Sequence, residues 1–183
     1  MRKAKERAAQ KGFTLLETMV ALCVLGIGLI ALAAMLAGSM AYMNSSQADF
    51  IAQQKASEAI ESIFTARDTQ AVTYSQIQNV SAGGIFLDGP ENLIDPGPDG
   101  VVDTADDNAN LPDTIIKPGP DGILGTADDI QIQLSVYYKM QRTIVISNIA
   151  GENGVRMIVV TVTYTTGTFN RTYTLTSYIS QYS

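Results

Sequence analysis

The sequence predicts an α+β protein in which a long N-terminal helix, half membrane-spanning and half amphipathic, packs on a four-stranded antiparallel sheet. Three observations carry this. No charged side chain occurs from Thr18 to Ala48. Ala52, Ala56, Ala59, Ile60, Ile63 and Phe64 then recur at helical spacing. After Asp129 the pattern changes to period two, the mark of half-buried strands.

Residues 1–12 form a basic leader. Arg2, Lys3, Lys5, Arg7 and Lys11 stand against Glu6, a net charge of +4, so the rest of a chain at −6 stands at −10. Basic residues before an apolar span place the N-terminus in the cytoplasm. A domain at −10 is a poor partner for nucleic acid, whose affinity depends on Lys and Arg at phosphates, and a suitable one for cations.

The helix is expected over residues 13–67, with the membrane segment at about 15–43; about 20 residues suffice to cross a bilayer. Gly26, Gly28, Ala31, Ala33, Ala34 and Ala37 offer a smooth face for close helix packing, and are equally ordinary membrane-helix composition. Glu17 sits alone at the mouth of the apolar run. A carboxylate there asks for a partner, or is favoured by the positive end of the helix dipole. In the second half, the apolar stripe faces a soluble domain, and Asp49, Lys55, Glu58 and Glu61 fall mostly elsewhere.

Residues 68–129 hold all six prolines and read as an irregular acidic loop region. Ile85-Phe86-Leu87 is either a short strand or a loop anchor. An internal repeat lies here, offset by 22 residues: Pro96–Asp107 matches Pro118–Asp129 at all but three positions. Counted from Asp95 as an EF-hand-type loop, Asp99 falls at position five, Gly100 at six, Asp103 at nine and Asp106 at twelve. Calcium is the ion expected of such hard oxygen donors, in one site or one shared between the copies, held by Asp95, Asp99, Asp103, Asp106 and Asp107 of the first copy, which has the fuller ligand set, and by Asp121, Asp128 and Asp129 of the second. The competing reading is a duplicated set of solvated Asp/Gly turns.

Residues 130–183 are expected to form the sheet, as strands Ile130–Tyr137, Thr143–Ser147, Val155–Thr165 and Phe169–Ser180 in a meander. Cys23, the single cysteine, lies inside the apolar run, so the exported part has no disulfide. There is no histidine, which removes the commonest general base. With no nucleophile-elbow or phosphate-loop motif either, the sequence is read as non-enzymatic.

The run Lys11-Gly12-Phe13-Thr14-Leu15-Leu16-Glu17, followed by Met19-Val20-Ala21-Leu22, resembles the class III signal of type IV prepilins and of type II secretion pseudopilins. The resemblance implies a pilin-like fold. It implies cleavage between Gly12 and Phe13 by a prepilin peptidase, N-methylation of Phe13, and a role for Glu17 in filament assembly. It also implies an inner-membrane protein that meets an assembly platform and other pilin subunits, then enters a periplasmic or extracellular filament. Ala34 stands near the place where major pilins often carry proline. The segment Ala56-Ser-Glu-Ala-Ile-Glu-Ser-Ile63 and the Thr/Val-rich tail are similar to pilus-modification minor pilins and to the I-type pseudopilin. A structural minor pilin with a calcium-stabilised loop is the leading expectation. The alternatives are a secretion pseudopilin and a filament-tip binding module.

Overall fold

The computed structural model describes residues 12–182. The chain forms two compact units, divided between Met43 and Asn44. The helix α1, Leu15–Asp68, contributes to both.

In the first unit, α1 exposes apolar side chains all round, among them Leu16, Val20, Leu25, Leu29 and Met35. Such a surface is unfavourable in water and suited to lipid or to other helices. Thr14 immediately precedes the helix, and its Oγ1 accepts a hydrogen bond from the Glu17 backbone N–H at 3.2 Å. Thr14 is thus an N-cap that satisfies one of the unpaired donors of the first turn.

In the second unit, the rest of α1 buries Ala48, Ile51, Ala52, Ala56, Ala59, Ile63 and Ala66 against a four-stranded antiparallel sheet. The strands are β1 (Glu91–Asn92), β2 (Ile94–Asp95), β3 (Asn108–Pro112), β4 (Thr114–Lys117), β5 (Ile130–Gln133), β6 (Gln141–Asn148), β7 (Val155–Thr166) and β8 (Phe169–Ser180). The large sheet has the order β1-β6-β7-β8. β7 and β8 pair over their full length, from Val155↔Ser180 to Thr166↔Phe169. Ile158, Val160, Val162 and Tyr164 alternate inward from β7, and Ile144 and Ile146 from β6.

The strand Ile130–Tyr137 expected in the sheet is not there. Ile130–Gln133 pairs instead with β4 in a separate two-stranded hairpin, and Leu134–Tyr137 form one helical turn, α2. The reason is visible in burial. Leu134 and Tyr138, four apart, both enter the core, which is helical spacing. The outer edge of β6 is closed otherwise: by Glu91 and Asn92 of β1, and by the Asn79 side chain. Asn79 Nδ2 donates to Ile144 O at 2.7 Å and its Oδ1 accepts from Ile146 N at 2.8 Å, as a strand residue would. Phe86 is buried, so Ile85-Phe86-Leu87 anchors a loop. Arg156 fastens the same loop by donating to Ile77 O at 2.8 Å and to Tyr74 O, with its guanidinium over the Tyr74 ring.

Near Asn44, the helix is tied to the sheet by polar contacts. Arg171 donates to Asp49 at 2.6 Å and Tyr164 Oη donates to the same carboxylate at 2.8 Å. Burial raises the Asp49 pKa, but the bonds from Arg171 and Tyr164 outweigh it, so the carboxyl titrates below its usual range. Burial first, then the Asp49 bond and charge, push the Tyr164 phenol from 10.0 up to about 12. A folded pKa above the unfolded one means that Tyr164's contribution is complete below pH 10.0 and lost as pH rises toward about 12. Relative to Tyr164→Phe, the parent protein is therefore expected to lose urea stability between about pH 10 and about pH 12. Equal slopes for the two proteins would show that this bond does not control the titration.

Candidate functional site

The sequence singles out two regions, and each lies within one unit. Gly12 and Phe13 precede the helix in exposed chain without regular secondary structure. Glu17 is in the first turn of α1. Its backbone N–H is capped by Thr14, while its carboxylate has no hydrogen-bond or ion-pair partner among the described residues. Thr14 was not among the expected functional residues. The pattern Thr14-x-x-Glu17 immediately before an apolar run is its signal. Lys11 and the rest of the leader lie outside the described residues.

The sequence repeat is also a structural repeat. In the first copy, Val101 N donates to Asp99 Oδ1 at 2.8 Å; in the second, Ile123 N donates to Asp121 Oδ1 at 2.8 Å. Thr104 Oγ1 donates to Asp106 Oδ1 at 2.7 Å, as Thr126 Oγ1 does to Asp128 Oδ1 at 2.6 Å. Asp103 N donates to Asp107 Oδ2 at 2.8 Å, as Gly125 N does to Asp129 Oδ2 at 2.6 Å. A Cβ on Gly97 would lie 2.6 Å from Asp106 O, and one on Gly119 would lie 2.3 Å from Asp128 O. Only glycine fits where these backbones cross. Each aspartate thus caps a tight turn, which is what short carboxylates do beside free amides.

The two copies differ in one consequential place. Asp103, at φ 60°, occupies the left-handed position filled by Gly125 in the second copy. Its carboxylate is buried and accepts from Arg142 Nη2 at 2.8 Å and Nε at 3.0 Å. Asp103 is therefore committed to a bidentate ion pair with β6. Burial, then the charges of Asp103 and Asp107, push the Glu91 carboxyl above its usual range. Burial likewise raises Asp107, despite bonds from the Asp103 amide and from Thr104.

In the second copy, the amide and hydroxyl bonds around Thr126 and Asp121 hold Asp128 below the usual carboxyl range, the Thr126 hydroxyl contributing most. Asp107 Oδ1 accepts from Thr104 N and Thr104 Oγ1. Its counterpart Asp129 Oδ1 is buried with no hydrogen-bond partner among the described residues. Asp95 caps Gly97 N at 3.1 Å. No group of three or more acidic side chains converges as a ready cation cage among the described residues.

Residues 7–33 match the family model for the prokaryotic N-terminal methylation motif. No curated protein and no solved structure matches the chain. The motif is the class III prepilin leader. Together with a long N-terminal helix and an antiparallel sheet, it supports the type IV pilin-like family, pilins and pseudopilins alike. That family is structural rather than enzymatic. The motif implies a membrane-anchored subunit, processed by a prepilin peptidase and assembled with other pilin subunits.

Proposed function

We propose that the chain is a minor pilin, assembled from the inner membrane into a type IV pilus filament. The methylation motif at residues 7–33, leading into an apolar helix whose first turn holds a glutamate without a partner among the described residues, carries this reading. A prepilin peptidase cuts between Gly12 and Phe13 and methylates the new N-terminus. The N-terminus faces the cytoplasm before processing and an inner-membrane platform receives the processed chain. Glu17 of an incoming subunit pairs with the methylated amine of Phe13 on a neighbour, so that two charges costly in lipid are neutralised together.

Co-expression with a prepilin peptidase is expected to remove residues 1–12 and add one methyl group at Phe13, read by intact mass. Gly12 is the residue on which this depends, and Gly12→Val is expected to leave the leader in place. A parent chain left uncut, or cut beyond Ala37, would remove the pilin reading.

We propose further that the acidic repeat takes calcium, with the second copy as the principal site. Asp129 Oδ1, buried and without a partner among the described residues in the loop that also carries Asp121 and Asp128, supports this, as does a donor set made only of hard oxygens. Asp103 leaves the ligand set because Arg142 holds both its oxygens. Asp95, Asp99, Asp106 and Asp107 remain as a weaker first-copy set. Calcium is expected to raise the melting midpoint; a hundredfold excess over Kd corresponds to about 2.7 kcal/mol. Asp121→Asn with Asp128→Asn is expected to abolish most of the shift. If calcium moves the midpoint no further than magnesium does, the repeat is a turn scaffold only.

A further inference from the structure

We propose that the end of the second unit nearest Asn44 docks on the bilayer interface, with Ile123 and Leu124 as its inserted tip. The two copies of the repeat supply the first observation. Val101 and Val102 are buried, at 0% and 1% exposure. Their counterparts Ile123 and Leu124 have the same turn geometry and are 60% and 62% exposed. One motif thus has its apolar pair covered by the core, and the other presents the pair uncovered.

The second observation is where that pair lies. Lys55 on α1 meets Asp113, just before β4, at 2.5 Å. Lys117, at the far end of β4, donates to Tyr138 Oη at 3.4 Å, and that hydroxyl contacts Gln47 at 3.5 Å. From Asp113 to Lys117 the hairpin therefore runs back along α1, from the level of Lys55 to that of Gln47. Its loop, with Ile123 and Leu124, closes at the end of the unit where Asn44 lies. The chain continues from Asn44 directly into the apolar segment that ends at Met43.

The third observation is what else is exposed at this end of the unit. Tyr138 O accepts from Thr165 N at 2.6 Å, which brings the 136–140 loop beside the β7–β8 turn. Val136, Tyr137 and Phe169 are exposed here, at 70%, 58% and 73%. Lys117 lies over the rings of Tyr137 and Tyr138, and Lys139 is exposed. Apolar and aromatic side chains with lysines at their rim form the composition that partitions into a membrane interface. Asp121, Asp128 and Asp129 share the hairpin loop, so the surface is not cationic overall, and its attraction to the interface is apolar.

The test uses the full processed chain in nanodiscs, with Cys23→Ala and one fluorophore at Ala127→Cys, Thr168→Cys or, as a distal control, Ala71→Cys. EDTA is present throughout, so that calcium occupancy is not a variable. Co-migration with the nanodisc reports membrane anchoring separately from docking. Nitroxide-bearing lipids are expected to quench the labels at 127 and 168 at least about threefold more than the label at 71. Ile123→Asp with Leu124→Asp is expected to lower the docked-to-undocked ratio about tenfold or more, returning the 127 label to the control level. Equal quenching at 127 and 71, or quenching that the two aspartates leave unchanged, overturns the proposal. So does a 127 label that is shielded only in assembled filaments, which would make a neighbouring subunit the occupant.

Discussion

Asp103→Ala is expected to lower the unfolding free energy of the unit spanning residues 44–183 by about 3–5 kcal/mol, the usual cost of leaving one member of a buried ion pair alone. Arg142 is buried on the inner face of β6, and Asp103 supplies both hydrogen bonds that pair its charge. Its remaining contact is a long one, 3.5 Å to Lys55 O. Alanine adds strain, because position 103 is held at φ 60°. Asp103→Asn tolerates that backbone and separates the charge from the geometry. It is expected to be destabilising by most of the same amount. Arg142→Met combined with Asp103→Gly, the residue that the second copy uses, is expected to recover much of the loss, since a buried pair replaced as a whole by apolar volume is often tolerated. Urea denaturation of the four proteins decides the matter. An Asp103→Asn midpoint equal to that of the parent would mean that Arg142 finds another partner and that the pair does not hold the loop.

Glu17→Ala and Glu17→Gln are both expected to leave membrane insertion intact and to reduce filament entry by roughly tenfold or more, as removal of a costly charge pair's acidic half implies. Glu17 is exposed in the first turn of α1, and its carboxylate is unpartnered among the described residues. The helix after it carries no charge until Asp49 and stays apolar enough to span in either variant. Thr14 caps the helix through the backbone amide of residue 17, so the start of α1 survives both changes. Membrane and sheared-filament fractions would be compared by immunoblot. Normal incorporation of both variants would refute charge pairing and leave Glu17 as a helix-terminal carboxylate.

Much of the architecture is legible in the sequence because periodicity reports burial. Ala52, Ala56, Ala59 and Ile63 are predicted from their spacing to face a soluble domain, and all four are fully buried. Val160-Thr-Val-Thr-Tyr164 alternates in the sequence and alternates in burial. The leader is legible for a different reason. Its charge, glycine, aromatic residue, glutamate and apolar run are contiguous, so no folding is needed to bring them together.

What the sequence determined by itself was therefore local: the methylation motif, the helix with its two characters, the strand-rich tail and the duplicated Asp/Gly turn. Tertiary structure decided the partners. Ile130–Gln133 has strand composition, but whether it joins β6 or β4 depends on what already fills the β6 edge, and Asn79 and β1 fill it. Asp103 sits at a ligand position by counting, yet Arg142, 39 residues away, takes its carboxylate. Two nearly identical turns end in opposite surroundings, one packed under the sheet and one exposed at a hairpin tip. Spacing along the chain fixes which side chains share a face or a turn; only long-range packing fixes which charge or apolar surface meets them, because those energies belong to pairs brought together by folding.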